Sequence, residues 1–294
     1  QQEIRRGENA VNYSELLEQT AREFQSIACL GMDPVLERIP LEWEGVEGRL
    51  TGFYAGILEA CASSSVMPGA VKPNYAFFAQ YGFDGLKALK KVIGLAKKEG
   101  LPVILDAKRG DIGATAKAYS KEVFEFWEAD CVTISPYMGG DSVRPFIEWC
   151  EGKGKGVYIL TRTSNPGAAD FQNLSTAQGQ VFEVVSEKVL GWGKNAKGSV
   201  GVVVGATSLE EFEKIHSFFR GKKVPFLIPG VGAQGGSASE VAGVLRKDLE
   251  AMPLHRINSS SGINYAWERE KTKDFAGAAV RELDRLNKEI AFKA

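Results

Sequence analysis

Three ionisable side chains, those of Asp106, Lys108 and Asp111, come directly after the apolar run 101–105. This run is rich in Leu, Val and Ile and predicts a buried strand. Because alternate residues of a strand share a face, we expect Asp106 and Lys108 to point the same way. A buried carboxylate and ammonium are costly unless they are paired or used in chemistry. An ammonium held between carboxylates stays protonated, so Lys108 is a predicted proton donor rather than a base.

The same charges also fit a simpler interpretation, a salt bridge at an exposed strand end. Two features of the flanking sequence favour a functional site instead. Gly110 interrupts the strand, and residues 111–126 have the pattern of a helix. The charges therefore lie at a strand-to-helix turn that follows a buried strand.

The composition is typical of a globular protein. The chain has 294 residues, a formal net charge of -1, 44% hydrophobic residues and 25% charged residues. The small net charge gives no sign of a nucleic-acid partner. No apolar stretch approaches the roughly 18 residues that span a membrane, and the first residues do not resemble a signal peptide. We expect residues 1–10 to be flexible and residues 11–294 to form one domain.

The cysteines and histidines exclude several classes of site. The four cysteines form no C-x-x-C pair, which argues against zinc and redox motifs. Cys29 and Cys131 lie in apolar runs and are predicted to be buried thiols, as is typical of the reducing cytoplasm. The only histidines, His216 and His255, argue against a Ser-His-Asp hydrolase and a multi-histidine metal site.

Short β-type runs alternate with amphipathic segments along the chain. The eight runs are residues 26–32, 70–72, 103–106, 131–135, 156–161, 200–204, 226–229 and 256–259. The amphipathic segments include residues 50–62, 85–98, 114–127, 178–190, 209–219, 238–246 and 274–291. This alternation predicts a parallel sheet with crossover helices, and eight units favour a closed barrel over an open sheet. The predicted fold is α/β, a single (β/α)8 TIM barrel, with an extra N-terminal helix at 13–24 that caps one end.

The glycine-rich segment 229–236 predicts an anion site. Glycine lets backbone N–H groups approach a phosphate, Gln234 can donate an amide hydrogen, and Ser237 can cap the helix that follows. Such segments also occur as tight turns without a ligand. The position after the seventh strand favours phosphate binding, because barrels commonly hold phosphate in the loops after strands seven and eight.

The run DAKRGDIGAT at 106–115 resembles the active-site signature of the orotidine 5′-monophosphate decarboxylase family. Further motifs at the predicted strand ends follow in the order that this family has. They are GMDP at 31–34, VKPN at 71–74, SPY at 135–137, TSNP at 163–166 and PGVGAQGG at 229–236. The chain is most similar to the longer, bacterial-type (type 2) branch, over residues 16–291.

The resemblance implies a cofactor-free decarboxylation of orotidine 5′-phosphate to UMP in the cytoplasm. Lys72, Asp106, Lys108 and Asp111 would form an alternating charged array around the scissile carboxylate and C6 of the pyrimidine. Lys108 would stabilise the carbanion at C6 and then deliver a proton to it.

The resemblance further implies a homodimer. Asp111, Ile112 and Thr115 would reach into the site of the partner subunit, so that each site needs both chains. No metal ion is implied, and neither nucleic acid nor a membrane is expected as a partner.

Other predicted contacts follow the substrate from end to end. Asp33 would accept hydrogen bonds from the ribose, and Lys72 would reach the same hydroxyls. Thr163 and Ser164 would contact the amide edge of the pyrimidine. The implied phosphate contacts are Gly230, Gln234, Ser260 and Ser261.

At Ser261 the sequence departs from the family pattern, which usually has an arginine that grips the phosphate. The run NSSSGI at 258–263 supplies hydroxyl groups but no fixed charge. Arg162 and Arg269 are the predicted sources of a replacement cation. We expect Ser261→Arg to tighten binding of UMP, and no gain would indicate that the site already has a cation.

Two other functions remain open on the sequence. One is a magnesium-dependent sugar-phosphate decarboxylase or aldolase on the same barrel, because such enzymes also resemble an Asp-x-Lys-x-x-Asp pattern. The other is a non-catalytic nucleotide-binding barrel. The continuation at 109–113 and the TSNP loop favour the nucleotide decarboxylase over the first. The cost of an array of buried charges argues against the second.

Overall fold

The structure is a computed structural model that describes residues 11–42, 45–232 and 235–291. Segment 1–10, which is predicted to be flexible, and Gln234, which is predicted to bind phosphate, lie outside the described residues.

The eight predicted strands are confirmed, with small shifts at their ends. They are β1 (Ala28–Met32), β2 (Ala70–Pro73), β3 (Ile104–Arg109), β4 (Cys131–Ile134), β5 (Gly156–Arg162), β6 (Val200–Val204), β7 (Phe226–Ile228) and β8 (Arg256–Ser259). The largest shift is at β3, which runs three residues beyond the predicted end at Asp106 because it contains an irregularity.

All neighbouring strands are parallel, in the order β2-β1-β8-β7-β6-β5-β4-β3. The two ends of this sheet meet through isolated parallel bridges, which pair Val71 with Val103 and Asn74 with Asp106. The sheet therefore closes into the predicted (β/α)8 barrel, and the carboxyl ends of its strands share one rim.

Helices cover the outside of the sheet. They are α1 (Tyr13–Glu23), α2 (Val46–Ser64), α3 (Tyr75–Ala79), α4 (Gly82–Lys98), α5 (Gly113–Lys121), α6 (Gly140–Lys153), α7 (Val181–Trp192), α8 (Leu209–Phe219), α9 (Ala238–Leu245), α10 (Ser261–Asn264), α11 (Ala266–Glu270) and α12 (Phe275–Glu289). A π-helical turn, Glu122–Phe126, continues α5. A short antiparallel hairpin, Ser175–Thr176 with Gly179–Gln180, precedes α7.

Helix α6 is absent from the amphipathic segments that the sequence predicts. It begins after Gly139 and contains Pro145, and both residue types normally interrupt a helix. The glycine is the N-cap residue, and the proline lies in the second turn, among residues that are buried against the barrel. Tertiary packing therefore supplies the stability that local propensity lacks.

The extra helix α1 closes the amino-terminal end of the barrel, as predicted. Asn12 and Glu15 form a capping box at its start. The Tyr13 hydroxyl donates to the hydroxyl of Tyr158, which is buried inside the barrel, at 3.3 Å. The guanidinium of Arg256 on β8 is fully buried and donates to the carbonyl of Leu17 at 2.7 Å. These contacts fix α1 beneath the strands.

The predicted burial of the cysteines is confirmed, and all four are unpaired thiols. His216 and His255 are also buried, and their rings lie 6.3 Å apart beside Phe226, away from the carboxyl ends of the strands. Burial lowers the pKa of His255 to about 3, so this ring is neutral at physiological pH. Among the described helices, none is both long and apolar enough to cross a membrane.

Candidate active site

The carboxyl ends of the strands surround an open cavity of about 680 Å³. Residues on or directly after all eight strands contribute to its lining. The predicted site residues that line it are Asp33, Lys72, Asp106, Lys108, Thr163, Ser164, Gly230, Ser260 and Ser261. Residues far apart in the sequence thus converge at the rim where barrel enzymes hold their active sites.

Asp106 is the buried centre of a charged array. Its Oδ2 atom accepts a hydrogen bond from Lys72 Nζ at 2.9 Å, and its Oδ1 atom accepts one from Lys108 Nζ at 2.7 Å. The Thr133 hydroxyl donates to the same Oδ1 atom at 2.8 Å. Asp33 extends the array, because its Oδ1 atom lies 3.9 Å from Lys72 Nζ. Three members of the predicted array, Lys72, Asp106 and Lys108, thus lie together in one chain, with Asp33 rather than Asp111 as the second carboxylate.

Burial and charge act in opposite directions on the array. The Lys72 side chain is 5% exposed and that of Asp106 is 8% exposed. Burial alone would lower the pKa of Lys72, but the carboxylates of Asp106 and Asp33 outweigh it and raise that pKa above its ordinary value. Burial opposes ionisation of Asp106, but Lys72 and Lys108 outweigh it and lower the pKa of Asp106 below its ordinary value. Lys72 and Asp106 are therefore both ionised at neutral pH.

Lys108 reaches Asp106 by a route that simple strand alternation does not predict. Its backbone has φ of 43°, and the pairing of β3 with β4 shifts register between Leu105 and Arg109. A positive φ at a non-glycine residue is strained, by roughly 1–3 kcal/mol. The Lys108 N–H donates to the Thr133 hydroxyl at 3.0 Å, which satisfies a group that the irregular strand leaves free. Lys108 and Asp106 do meet, but a strand irregularity and Thr133 bring them together.

The loop after β5 holds the two predicted pyrimidine contacts. The Thr163 hydroxyl donates to Asn165 Oδ1 at 2.6 Å and accepts from Gln172 Nε2 at 2.8 Å. Ser164 lies against Gly205, where a Cβ atom would come within 2.8 Å of the Ser164 backbone. The glycine after β6 thus makes room for Ser164 at the cavity wall.

Asp111, Ile112 and Thr115 lie outside the cavity of their own chain. The Asp111 carboxylate accepts from the N–H of Ile112 at 2.8 Å, and the Ile112 side chain is 53% exposed. Thr115 is also exposed, in the first turn of α5. The structure therefore does not bring these three predicted residues to the array of the same chain.

The glycine-rich loop after β7 differs from the expectation of free backbone donors. Gly232 N–H donates to the carbonyl of Gly236 at 2.9 Å, Gly235 N–H to that of Gly232 at 2.8 Å, and Gly236 N–H to that of Gly230 at 3.0 Å. Gly230, Gly232 and Gly235 have positive φ values, as this tight turn requires. The expected cap is present, because the Ser237 hydroxyl accepts from Glu240 N–H. Three backbone N–H groups that the sequence predicted to bind an anion therefore donate to carbonyl groups within the loop instead.

At the other side of the phosphate end, Ser260 and Ser261 precede and begin the short helix α10. The Ser260 hydroxyl accepts from Asn258 Nδ2 at 3.3 Å and packs where a Cβ atom on Gly31 would lie. Ser261 lines both the main cavity and a second one of about 670 Å³, which extends toward α11 and α12. The two cavities therefore share part of their lining at Ser261.

The two arginines predicted to replace the missing cation have other partners. Arg162 Nε lies 2.8 Å from Glu211 Oε2, and the Arg162 Nη1 group donates to the Thr163 carbonyl. Arg269 lines only the second cavity and pairs with Glu282 at 3.3 Å. Arg38, which the sequence analysis did not single out, lines both cavities.

Thr133 was also missed from the sequence. Its signal is a hydroxyl in the otherwise apolar strand β4, one residue before the end of that strand. A buried hydroxyl needs a partner, so this position could have indicated a polar neighbour on β3. Arg38 has no comparable signal, because its position depends on contacts with residues more than 200 positions away.

Comparison with known proteins agrees with this geometry. The model of the orotidine 5′-phosphate decarboxylase / HUMPS family matches residues 58–271. An orotidine 5′-phosphate decarboxylase of Verminephrobacter eiseniae is 40% identical over 284 residues, which cover 94% of this chain and 97% of that protein. The chain belongs to the orotidine 5′-phosphate decarboxylase / HUMPS family.

Solved structures give the same family and the same fold. The orotidine monophosphate decarboxylase of Leishmania donovani has 32% identity and a TM-score of 0.74, and the match covers 97% of this chain and all of that one. The UMP synthase of the same organism has 33% identity and a TM-score of 0.75. The match covers 94% of this chain but only 56% of that longer one.

Proposed function

We propose that this chain catalyses the decarboxylation of orotidine 5′-phosphate to UMP and CO₂, the last step of de novo UMP biosynthesis. The observation that carries the proposal is the Lys72–Asp106–Lys108 array at the carboxyl rim of the barrel. The relatives that match nearly the whole chain bear the name of this activity. The substrate is a small nucleotide, and neither nucleic acid nor a membrane takes part.

In the proposed reaction the bond between C6 and the carboxylate carbon breaks and CO₂ leaves. The electron pair stays on C6, where the pyrimidine ring cannot delocalise it well. The Lys108 ammonium stabilises this charge and then transfers a proton from Nζ to C6, which gives UMP and a neutral amine. Lys108 then regains a proton from water.

Asp106 has two roles in this scheme. Its Oδ1 atom orients the Lys108 ammonium, and its negative charge lies opposite the positive charge of that group before reaction. Its Oδ2 atom is neutralised by Lys72, whose own charge is balanced by Asp33. The substrate carboxylate therefore enters a site whose charges are already fixed, so little reorganisation is needed when charge develops at C6.

We further propose that the enzyme is a homodimer in which Asp111, Ile112 and Thr115 complete the partner's site. These residues lie outside the cavity of their own chain. Two neighbouring loops of the same rim expose large apolar side chains, Ile112 after β3 and Tyr137 after β4, which are 53% and 84% exposed. A second copy of the chain would cover this apolar surface and bring Asp111 next to a lysine of the facing array.

Mixing two inactive variants tests the shared site. Asp111→Ala and Lys72→Ala subunits each lack one part of the site, but a hybrid dimer contains one intact combination. We expect mixtures to regain up to one working site per hybrid dimer. Absence of recovery, with subunit exchange confirmed by mass spectrometry, would contradict the homodimer with a shared site.

We propose a cytoplasmic location for the enzyme. Its cysteines are buried thiols without disulfide partners, as in proteins of reducing compartments. Fractionation of the source cells should recover the protein with cytoplasmic markers. Recovery with an extracellular or membrane fraction would count against this assignment.

The decisive test of the reaction follows orotidine 5′-phosphate by ultraviolet absorbance after treatment with EDTA. We expect rapid turnover by the wild-type chain and its loss in Lys108→Ala. Turnover that needs added Mg²⁺ and a sugar phosphate would instead support the magnesium-dependent enzyme. Tight binding of UMP without any turnover would support the non-catalytic nucleotide-binding barrel.

A further inference from the structure

The phosphate end of the cavity needs a cation that its nearest residues do not supply. Ser261 has no charge, and three N–H groups of the glycine-rich loop already donate within that loop. The start of α9 is similarly occupied, because Glu240 N–H donates to Ser237 and Ser239 N–H donates to Glu289. A phosphate dianion bound here by hydroxyl groups alone would remain poorly neutralised.

Arg38 is placed where such a cation is needed. It ends the short 3₁₀ turn Leu36–Arg38 in the loop between β1 and α2. It lines the array cavity together with Gly230 and Ser261, and it lines the second cavity together with Gly232, Gly236 and Ser237. Arg38 therefore lies with Ser261 in the part of the lining that the two cavities share.

The Arg38 guanidinium is held in a fixed orientation. Its centre lies 3.7 Å from the ring centroid of Tyr265, which is a stacking distance. Its Nε and Nη2 groups donate to the two carboxylate oxygens of Glu268, at 2.9 Å and 2.6 Å. A guanidinium has five N–H groups, so three remain on the opposite edge for a second anion.

The other arginines near the second cavity fit this role less well. Arg269 and Arg285 pair with Glu282, and neither reaches the cavity that contains the array. Arg162 pairs with Glu211 beside the loop after β5. Of the described arginines, Arg38 is the one that lines both spaces.

We propose that Arg38 binds the 5′-phosphate of the nucleotide and replaces the charge that Ser261 lacks. This inference rests on the proposed function, since it assigns the phosphate of that substrate to a residue. Glu268 and Tyr265 act as positioning residues, because they fix the guanidinium before the nucleotide enters.

The same contacts connect the phosphate to the ribose side of the site. The Tyr265 hydroxyl donates to the Asp33 carbonyl at 3.2 Å and accepts from Val35 N–H at 2.7 Å. Arg38 and Asp33 thus belong to one loop that is fastened to Tyr265. A phosphate that holds Arg38 also steadies Asp33, whose carboxylate faces Lys72.

The test compares affinities for UMP and uridine, which differ only by the phosphate. Calorimetry measures both in the wild type, Arg38→Gln, Arg38→Lys and the control Arg269→Gln. We expect Arg38→Gln to lower the affinity for UMP at least about tenfold, as is typical of the loss of a charge-assisted hydrogen bond. The affinity for uridine, which has no phosphate, should stay unchanged. Arg38→Lys should retain part of the preference for UMP, and Arg269→Gln should retain all of it.

A compensating variant makes the assignment sharper. Ser261→Arg should restore UMP affinity in the Arg38→Gln background and add less in the wild type, where the site already has its cation. An unchanged ratio of UMP to uridine affinity in Arg38→Gln would overturn the proposal. Equal weakening of both ligands would also overturn it, because that pattern indicates a disturbed loop.

The turnover of orotidine 5′-phosphate by the wild type separates this inference from the proposed function. Suppose that Arg38 favours UMP over uridine but the wild type does not decarboxylate orotidine 5′-phosphate. That result would refute the proposed decarboxylase function and support the contact between Arg38 and the phosphate. Rapid decarboxylation by the wild type, with no effect of Arg38→Gln on the ratio of the two affinities, would support the decarboxylase function and refute the phosphate contact.

Discussion

The charged array and the phosphate end share one cavity but differ in the elements that hold their charges. Lys72 and Asp106 lie on the neighbouring strands β2 and β3, and the Thr133 hydroxyl on β4 donates to Asp106 from the next strand. Arg38 lies on a loop, and its partners Tyr265 and Glu268 lie at a turn and on a five-residue helix. The side chains of Lys72 and Asp106 are 5% and 8% exposed, whereas those of Lys108 and Arg38 are 52% and 39% exposed.

This difference indicates which charged residues of the site can be replaced by residues elsewhere in the chain and which cannot. Moving a buried charge on a strand leaves its partner unpaired in the barrel interior, which costs several kcal/mol. A charge at a loop can be supplied from another loop without changing the strands. The proposed role of Arg38 explains how the chain tolerates serine at position 261.

The largest expected effect is on turnover at the array. Lys108→Ala should lower kcat on the order of 10⁴-fold, since it removes both the proton donor and the charge opposite C6. UMP affinity should change far less than in Arg38→Gln. Steady-state kinetics and calorimetry check both statements, with Lys98→Ala at the exposed end of α4 as the control. If Lys108→Ala and Arg38→Gln lowered the affinity for UMP to a similar extent, the array and the phosphate end would not differ in their contributions to chemistry and binding.

The next effect is on stability. Asp106→Asn should lower the free energy of unfolding by about 3 kcal/mol, because the buried Lys72 ammonium loses its carboxylate. Urea denaturation measures this value, and adding Lys72→Met should recover part of it. Ser261→Arg, a change at the phosphate end, should leave stability almost unaltered. An unchanged free energy of unfolding in Asp106→Asn would contradict the buried pairing of Asp106 with Lys72.

A smaller effect is expected where the strand irregularity is held. Thr133→Val removes the hydroxyl that serves both the Lys108 N–H and Asp106. We expect kcat to fall about tenfold and the free energy of unfolding to fall by about 2 kcal/mol, because two hydrogen bonds of roughly 1 kcal/mol each are lost. Thr133→Ser should keep most of both. If Thr133→Val were fully active and stable, the backbone alone would be sufficient to hold Lys108 in its observed conformation.

The smallest effect is a difference in pH dependence. The pKa of Asp106 is lowered, so its stabilising effect is present above its unfolded pKa of about 3.9 and is lost as pH falls through the lower folded value. The pKa of Lys72 is raised, so its contribution persists below about 10.4 and is lost only above that pH. The phosphate of the substrate gains a proton near pH 6.

Between about pH 5 and about pH 9 the ionisation of Lys72 and Asp106 should therefore stay constant. The KM for orotidine 5′-phosphate should rise severalfold below pH 6, because a monoanion binds a cation more weakly than a dianion does. Kinetics across this range check the prediction. Urea midpoints that drop steeply between pH 9 and pH 6 would contradict the constant ionisation of the array.

The array could be predicted from sequence because its residues adjoin apolar runs that form strands. The burial of those runs determines where Lys72 and Asp106 lie, and parallel pairing then brings them together. The route taken by Lys108 could not be predicted, since a positive φ at lysine depends on its tertiary partner Thr133. Helix α6 was missed because its glycine and proline oppose helix formation locally.

The phosphate end was predicted less completely for a related reason. A glycine-rich run is compatible with free donors and with a self-bonded turn, and only the folded loop distinguishes them. Arg38 and Glu268 meet across 230 positions of sequence. No local pattern records such a contact, so sequence reasoning proposed Arg162 and Arg269 instead.

The anchoring of α1 has a consequence for the order of folding. Arg256 is buried without a carboxylate partner among the described residues, and its five hydrogen bonds go to carbonyl oxygens and to Thr20. Helix α1 is made before the strands of the barrel, but its partner strand β8 is made after the other seven. Such long-range contacts form late and slow the closing step. During synthesis α1 therefore waits for β8, and the amino-terminal end of the barrel is closed only when these two elements meet.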